Sequence, residues 1–217
     1  TDNKMKPVIE AITDISKSGI NVDYIIPYVY AKHAEERNRE MRMAEYDEWI
    51  NANEDATESE REDFLEKLQL KDYSGVSGFD PHKTYENPDE LAMDIVKEFE
   101  EQVPEELINT LWEKINDATG TILEHWRDGG QLSEKQYDKL KKQYQYFVPL
   151  RNWRHGKGKQ FTYVKGEGFG RSLRKAYGRK TLADNPLAYI QAVGFKAIGE
   201  RVDNEIKNSM LNLVLSN

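Results

Sequence analysis

The sequence predicts an all-α protein, a multi-helix domain with long helices and a small irregular or β insertion around residues 146–170. Two observations lead to this prediction. Apolar residues recur at helical spacing through most of the 217 residues, and helix-capping patterns separate the apolar stretches. The one stretch that departs from this pattern is rich in glycine, aromatic and basic residues, which favours irregular or extended backbone there.

Two helices are predicted in the first quarter of the chain. Residues 4–16 carry an apolar side chain at every third or fourth position, and Gly19 is expected to end this first helix. A second helix is predicted over residues 23–52. Pro27 falls in its first turns, where a missing backbone N–H costs least.

Capping patterns mark the next two helices. Thr57 and Glu60 form a capping-box pattern that opens a helix through Gln69. Residues 71–88 contain glycines and prolines typical of a loop. Asn87 follows as the expected cap of a further helix that starts with a proline.

Two more helices are predicted before the glycine-rich stretch. Pro104 opens the first, and an apolar stripe continues along it until Gly129. Ser133 and Gln136 form a second capping box, so a helix is predicted from there to about Gln145. Among the aromatic residues on these helical stripes, three are expected in the core: Trp49, Trp112 and Trp126.

The last predicted helix is unusually long. Asn185 caps it, Pro186 is its first residue, and it runs for roughly 30 residues, which exceeds the typical globular helix. Its apolar residues are expected to line one face: Leu187, Ile190, Ala197, Ile198, Val202, Ile206, Met210 and Leu213.

The positive charge of the chain collects in one stretch, although the formal net charge is −8. Between Lys139 and Lys180 lie thirteen of the 31 Lys and Arg residues and one of the 39 Asp and Glu residues, so this stretch carries +12 and the remainder −20.

Binding of single-stranded nucleic acid requires cations interleaved with aromatic rings. The candidate binding residues are Lys141, Lys142, Arg151, Trp153, Arg154, Lys157, Lys159, Tyr163, Lys165, Arg171, Arg174, Lys175, Arg179 and Lys180. Packing of the stretch against acidic helices of the same protein is the alternative, and composition leaves both open.

A second candidate is a polar cluster on the second predicted helix. Tyr30, His33 and Arg37 share a helix face by their spacing, and Asn38 lies beside them. Such a group forms either a buried polar network or the surroundings of a catalytic base. Because no nucleophile lies nearby in the sequence, a structural or surface role is favoured and no catalytic residue is predicted.

Other chemistry is not indicated by the sequence. The absence of cysteine excludes thiolate chemistry and a disulfide-stabilised secreted fold. The four histidines match no metal-ligand spacing, and the glycines match neither phosphate-binding pattern. No apolar run is long enough to span a bilayer. No metal and no cofactor are therefore expected.

Three stretches occur in a recognisable order: YVYAKHAEERNREM (28–41), YQYFVPLRNW (144–153) and GRKTLADNPLAYIQAVGFKAIGERVDNEIKNSML (178–211). Together they resemble a helical domain of the very large "polyvalent" proteins of bacteriophages and conjugative elements. Residues 155–177 and the acidic residues 47–86 depart from that pattern. The motif positions are His33, Arg37, Asn38, Pro149, Leu150, Arg151, Gly178, Arg179 and Pro186.

The resemblance implies a function only in general terms. Polyvalent proteins accompany DNA into a recipient cell, joined to helicase, methyltransferase, protease or polymerase modules, and this domain has no established reaction. The leading hypothesis is a non-enzymatic accessory or scaffolding domain that is packaged and delivered with DNA. The second is a nucleic-acid-binding module that uses residues 139–180. An enzyme centred on His33 and Arg37 is the third and weakest.

The same resemblance sets expectations for organisation and location. Residues 1–217 are expected to form a single helical domain from a larger protein, since the sequence starts with Thr1 instead of Met and ends within an apolar helical pattern. A division into an acidic part at 1–145 and a basic part with the last helix at 146–217 is the alternative. Other domains of the parent protein, and single-stranded nucleic acid under the second hypothesis, are the expected partners. The virion or the host cytoplasm is the expected location.

Overall fold

The computed structural model describes residues 4–79, 87–148 and 185–215. Within these ranges the fold is all-α, with seven α-helices, two short 3₁₀ helices and no strand. The α-helices are α1 (Met5–Lys17), α2 (Ile25–Ala52), α3 (Glu58–Gln69), α4 (Pro88–Glu100), α5 (Glu105–Asp128), α6 (Glu134–Gln143) and α7 (Pro186–Leu215). The predicted fold class is therefore confirmed for the helical part.

The capping predictions are confirmed in atomic detail. Thr57 and Glu60 cap each other's backbone amides at the start of α3, and Ser133 and Gln136 do the same at α6. Asn87 accepts hydrogen bonds at 2.8 and 3.1 Å from two backbone amides of the first turn of α4. Each cap satisfies amides that have no partner within the helix.

Helix boundaries differ from the predictions by a few residues. A 3₁₀ turn at Val22–Tyr24 precedes α2, and α6 ends at Gln143. The predicted loop 71–88 contains a second 3₁₀ turn at Val76–Phe79. Residues 146–148 of the predicted β insertion form no strand, and residues 149–170 lie outside the described residues.

The main core lies between α1, α5, α7 and the first turns of α2. Its fully buried members include Val8, Ile15, Tyr28, Leu111 and Ile115. A smaller core forms between α2, α4 and the second 3₁₀ turn. Its buried members are Tyr30, Ala31, Ala34, Val76, Leu91 and Ala92. The first half of α2 contributes to both cores, so it is the central element of the described fold.

Two of the three tryptophans predicted in the core are there. Trp112 and Trp126 are buried on α5. Trp49 is only half-buried: it stacks on Phe64 of α3 with ring centroids 4.6 Å apart, and it belongs to neither core. The core prediction was wrong for Trp49, because it lies in the second half of α2, beyond the residues of that helix that enter the two cores.

The prediction that the apolar residues of α7 line one face was also wrong. Ile190 and Ala197 are buried, whereas Val202, Ile206 and Met210 are exposed. Because a helix turns about 100° per residue, these two groups lie on nearly opposite sides. The buried side packs on α5 as far as Gly129, where a Cβ atom would approach the Cα of Arg201 to 3.2 Å.

No helix in the described part of the chain is long and apolar enough to cross a membrane.

Candidate functional site on helix α2

Asn38 holds the loop between α3 and α4. Its side chain is fully buried, and its Oδ1 accepts hydrogen bonds from the backbone amides of Tyr73 (3.1 Å) and Ser74 (3.0 Å). Its Nδ2 donates to Asp89 Oδ1 at 2.8 Å. One side chain thus joins α2, the loop and the start of α4, and we name this arrangement the Asn38 clamp.

The loop beneath the Asn38 clamp is itself heavily hydrogen-bonded. The carboxylate of Asp72 accepts from the backbone amides of Ser74 (3.0 Å), Gly75 (2.7 Å) and Ser77 (3.1 Å). Tyr30 donates its hydroxyl to the Ser74 carbonyl at 2.6 Å. Gly75 has a backbone φ angle of +80°, which residues other than glycine rarely adopt. The loop is therefore fixed in a single shape.

Arg42 extends the Asn38 clamp to the end of α3. Its guanidinium donates to the carbonyls of Leu68 (3.0 Å), Gln69 (3.1 Å) and Lys71 (3.3 Å), and it forms an ion pair with Asp89. The last carbonyls of a helix lack intrahelical partners, and a cation favours that end of the helix dipole. Arg42 therefore joins α3 to α4 through α2.

His33 contacts a different segment of the chain, residues 143–148, which leads from α6 towards residue 149. The imidazole is buried between the rings of Tyr144 and Phe147, with centroid distances of 5.6 and 6.1 Å. Its Nδ1 has no hydrogen-bond partner among the described residues.

Acidic residues of α2 bind the backbone of the same segment. The two carboxylate oxygens of Glu36 accept from the amides of Gln145 (3.1 Å) and Tyr146 (2.9 Å). Glu40 accepts from the Gln143 side chain at 2.7 Å. Together with His33 they form what we name the His33–Glu36 clamp.

The His33–Glu36 clamp continues into an aromatic network in the main core. The indole of Trp112 donates to the Tyr28 hydroxyl at 3.0 Å, and that hydroxyl donates to Glu100 at 2.9 Å. Lys32 pairs with Glu100 at 2.7 Å and lies 5.0 Å from the centre of the Tyr146 ring. Burial raises the pKa of the Tyr28 phenol. The segment 143–148 is thus tied to α2, α4 and α5 together.

The surroundings of His33 do not suit a catalytic base. Burial, and secondarily the charge of Arg37, lowers the pKa of His33 to about 3. A surface depression of about 350 Å³ lies between α2 and α4, and neither His33 nor Arg37 lines it. Its lining residues are Glu35, Met93, Val96, Lys97, Glu100 and Glu101. A neutral, enclosed imidazole has no access to a substrate there.

The predicted polar cluster is therefore divided between two tasks. His33 faces residues 143–148, whereas Asn38 faces residues 73–74. Arg37 lies between them and donates to the Tyr73 carbonyl at 3.3 Å. Sequence reasoning missed four residues that work with them in holding these segments: Glu36, Arg42, Asp72 and Asp89. Only Asp72 had a local signal, since an Asp shortly before a Ser-Gly pair is typical of a side-chain-capped turn.

Of the fourteen candidate nucleic-acid-binding residues, the structure describes Lys141 and Lys142. Both are exposed at the end of α6, and Lys141 Nζ lies 5.1 Å from the centre of the Tyr137 ring. The other twelve, from Arg151 to Lys180, lie outside the described residues. The chain is buried on both sides of this gap, at Val148 before it and at Leu187 and Ile190 after it.

Among the described residues, no group of three or more His, Asp and Glu side chains could hold a metal ion. No family model, curated protein or solved structure matches the chain. The resemblance to polyvalent proteins therefore stays a prediction from the three sequence stretches.

Proposed function

We propose that the chain is a non-enzymatic accessory or scaffolding domain of a phage or mobile-element multidomain protein, packaged and delivered with DNA. One observation supports the structural, non-enzymatic part of this proposal: the polar residues of the motif, His33 and Asn38, are buried and hold segments of their own chain. The phage or mobile-element setting is proposed from the resemblance of the three sequence stretches. Residues that work in this way position other parts of a protein. They do not act on a substrate.

The arrangement of the described helices supports the same proposal. The His33–Glu36 clamp fixes the chain where it leaves for residues 149–184, and the main core takes it up again at Leu187. A scaffold of this kind holds both ends of a long, basic segment on an acidic helical body. The described residues on either side of this segment therefore have defined positions on the helical body.

The scaffolding proposal is tested on the parent protein. The complete open reading frame is determined first, and each neighbouring module is then expressed separately and titrated with this chain. We expect a larger reading frame and saturable binding of at least one module by calorimetry. A reading frame that encodes this chain alone, or neighbours that show no binding, would contradict the proposal.

A nucleic-acid-binding module that uses residues 139–180 is the second candidate. Lys141 and Lys142 favour this candidate, because both belong to the basic stretch and both are exposed. Labelled single-stranded DNA and RNA are titrated at about 50 and 200 mM salt, where phosphate-dominated binding weakens by orders of magnitude. We expect micromolar or tighter binding at the lower concentration.

Charge reversal provides the matched control for this titration. Replacing Arg151, Arg154, Lys157 and Lys159 by Glu should abolish binding. Replacing Lys6, Lys17, Lys67 and Lys97 by Glu, four exposed residues of the helical body, changes the net charge equally and should preserve it. Binding that survives the first set, or no binding at low salt, would contradict this candidate.

A further inference from the structure

Residues 143–148 are packed on α2 around a single buried imidazole. The side chain of His33 is 1% exposed and lies between the rings of Tyr144 and Phe147. Its Nδ1 is buried without a hydrogen-bond partner among the described residues. Such an environment suits the neutral imidazole alone, because a charge placed there would have neither water nor a hydrogen-bond acceptor at this nitrogen.

The charged groups around His33 do not favour a second positive charge. Arg37, one turn further along α2, already carries a positive charge that acts on the imidazole. The carboxylates of Glu36 and Glu40 bind backbone and side-chain groups of the segment. Residues 143–148 contain two tyrosines and no Asp, Glu, Lys or Arg. Among the described residues, no carboxylate pairs with the imidazole.

Protonation of His33 is therefore unfavourable as long as residues 143–148 cover it. Burial first, and Arg37 second, lower the pKa of His33 in the fold to about 3, whereas an exposed imidazole has a pKa of 6.5. Between these values the proton binds to conformations in which the segment has left the imidazole. The contacts of the segment with α2 are most stable above pH 6.5 and weaken as the pH falls.

The rest of the helical body does not depend on this imidazole. The loop at residues 73–74 is fixed by Asn38, and the main core is built from apolar side chains. The ring of Tyr146 packs on Trp112, and Val148 is buried in the main core, so these contacts keep the segment closed at neutral pH. Opening of one short segment costs less free energy than unfolding of the whole domain.

We propose that His33 makes residues 143–148 an acid-sensitive latch: uptake of a proton by the imidazole releases them from α2 while the rest of the helical body stays folded. The two pKa values of His33 make the equilibrium constant for opening rise about 25-fold between pH 7 and pH 5. The latch is independent of the scaffolding function, since it concerns only how this segment is held on α2.

Amide hydrogen exchange at pH 7 and pH 5 tests the latch, with protection factors that correct for the pH dependence of the chemical exchange step. The opening constants of the Gln145 and Tyr146 amides should rise about 25-fold at pH 5. This opening should not depend on urea below the unfolding transition, because a local opening exposes little surface. The amides of Tyr73 and Ser74 should open less often at both pH values. Circular dichroism should show the same helix content at both.

Two variants identify the group that takes up the proton. His33→Gln removes the imidazole and should abolish the rise in opening at Gln145 and Tyr146. Glu36→Gln keeps the imidazole and removes the nearby carboxylate, so it should start from weaker protection and retain the 25-fold rise.

Four results would overturn the latch. In the wild type they are opening constants that do not change with pH, and an opening with the same urea dependence as global unfolding. In the variants they are a rise that persists in His33→Gln and a rise that disappears in Glu36→Gln.

Discussion

The two clamps on α2 hold their segments by different means. The Asn38 clamp is a closed set of hydrogen bonds: one buried amide serves two backbone amides and a carboxylate. The His33–Glu36 clamp combines a buried ring, packed between two aromatic side chains, with a carboxylate that binds backbone amides. The comparison shows that hydrogen bonding secures the loop, whereas packing and charge secure the segment before residue 149.

Replacing Asn38 by Ala should have the largest effect on stability. The buried amides of Tyr73 and Ser74 and the carboxylate of Asp89 would all lose a partner, so we expect the free energy of unfolding to fall by about 2–4 kcal/mol. Urea denaturation measures the change. Asn51→Ala, an exposed position of the same helix, should stay within about 0.5 kcal/mol of wild type. Equal effects of the two variants would show that Asn38 is no clamp.

The pH dependence of stability should separate the two clamps. His33 stays neutral in the fold down to its pKa of about 3, whereas in the unfolded chain its imidazole takes up a proton at the ordinary histidine pKa of 6.5. Between these values the unfolded state holds more protons, so stability falls as the pH falls. The contribution of His33 is about 2 kcal/mol between pH 7 and pH 5.

Two variants measure this contribution in urea titrations at each pH. His33→Gln removes the titrating group and should lose about 2 kcal/mol less than wild type between pH 7 and pH 5. Asn38→Ala should retain the wild-type pH dependence, because it leaves His33 in place. If His33→Gln and wild type show parallel pH profiles, His33 is not held neutral in the fold.

A smaller effect is expected for Glu36→Ala. Two charge-assisted hydrogen bonds to the amides of Gln145 and Tyr146 would be lost at a half-buried position, so stability should fall by about 1–2 kcal/mol. Glu35→Ala changes the adjacent exposed residue and should have little effect. Should both variants unfold at the same urea concentration, the carboxylate does not hold residues 145–146.

The smallest effect on stability is expected at Glu45, which contacts the loop that the Asn38 clamp holds. Glu45 pairs with Lys71 and accepts a hydrogen bond from the Tyr73 hydroxyl, and the Glu45 and Lys71 side chains are partly solvent-exposed. Glu45→Gln should change the free energy of unfolding by about 0.5 kcal/mol or less, since exposed pairs contribute little. A loss as large as that of Asn38→Ala would place the centre of the clamp at Glu45.

The sequence predicted the helices well because their signals are local. A capping box or an Asn-Pro start lies within four residues of the helix it opens, as at Thr57 and Asn87. The prediction that the apolar residues of α7 line one face failed for the opposite reason. Apolar spacing shows that a residue avoids water, but it does not show which side of a helix has a partner, as Ala197 and Ile206 demonstrate.

The candidate site was predictable only in part. Spacing on α2 brought out His33 and Asn38, but the contacts of the two clamps come from distant parts of the chain. Tyr73 lies 35 residues from Asn38, and Tyr146 lies 110 residues from Glu36. Such contacts depend on how the helices pack, and a single sequence carries no local signal for them. The sequence therefore indicated buried polar residues without showing that they serve two clamps.

Amide hydrogen exchange is the most direct test of the claim that these residues are clamps. In wild type the amides of Tyr73, Ser74, Gln145 and Tyr146 should all exchange slowly. Asn38→Ala should accelerate exchange at the first two, and Glu36→Ala should accelerate it at the last two, each leaving the other pair protected. Rapid exchange at all four amides in the wild type would contradict the account, and so would equal acceleration at both pairs in either variant.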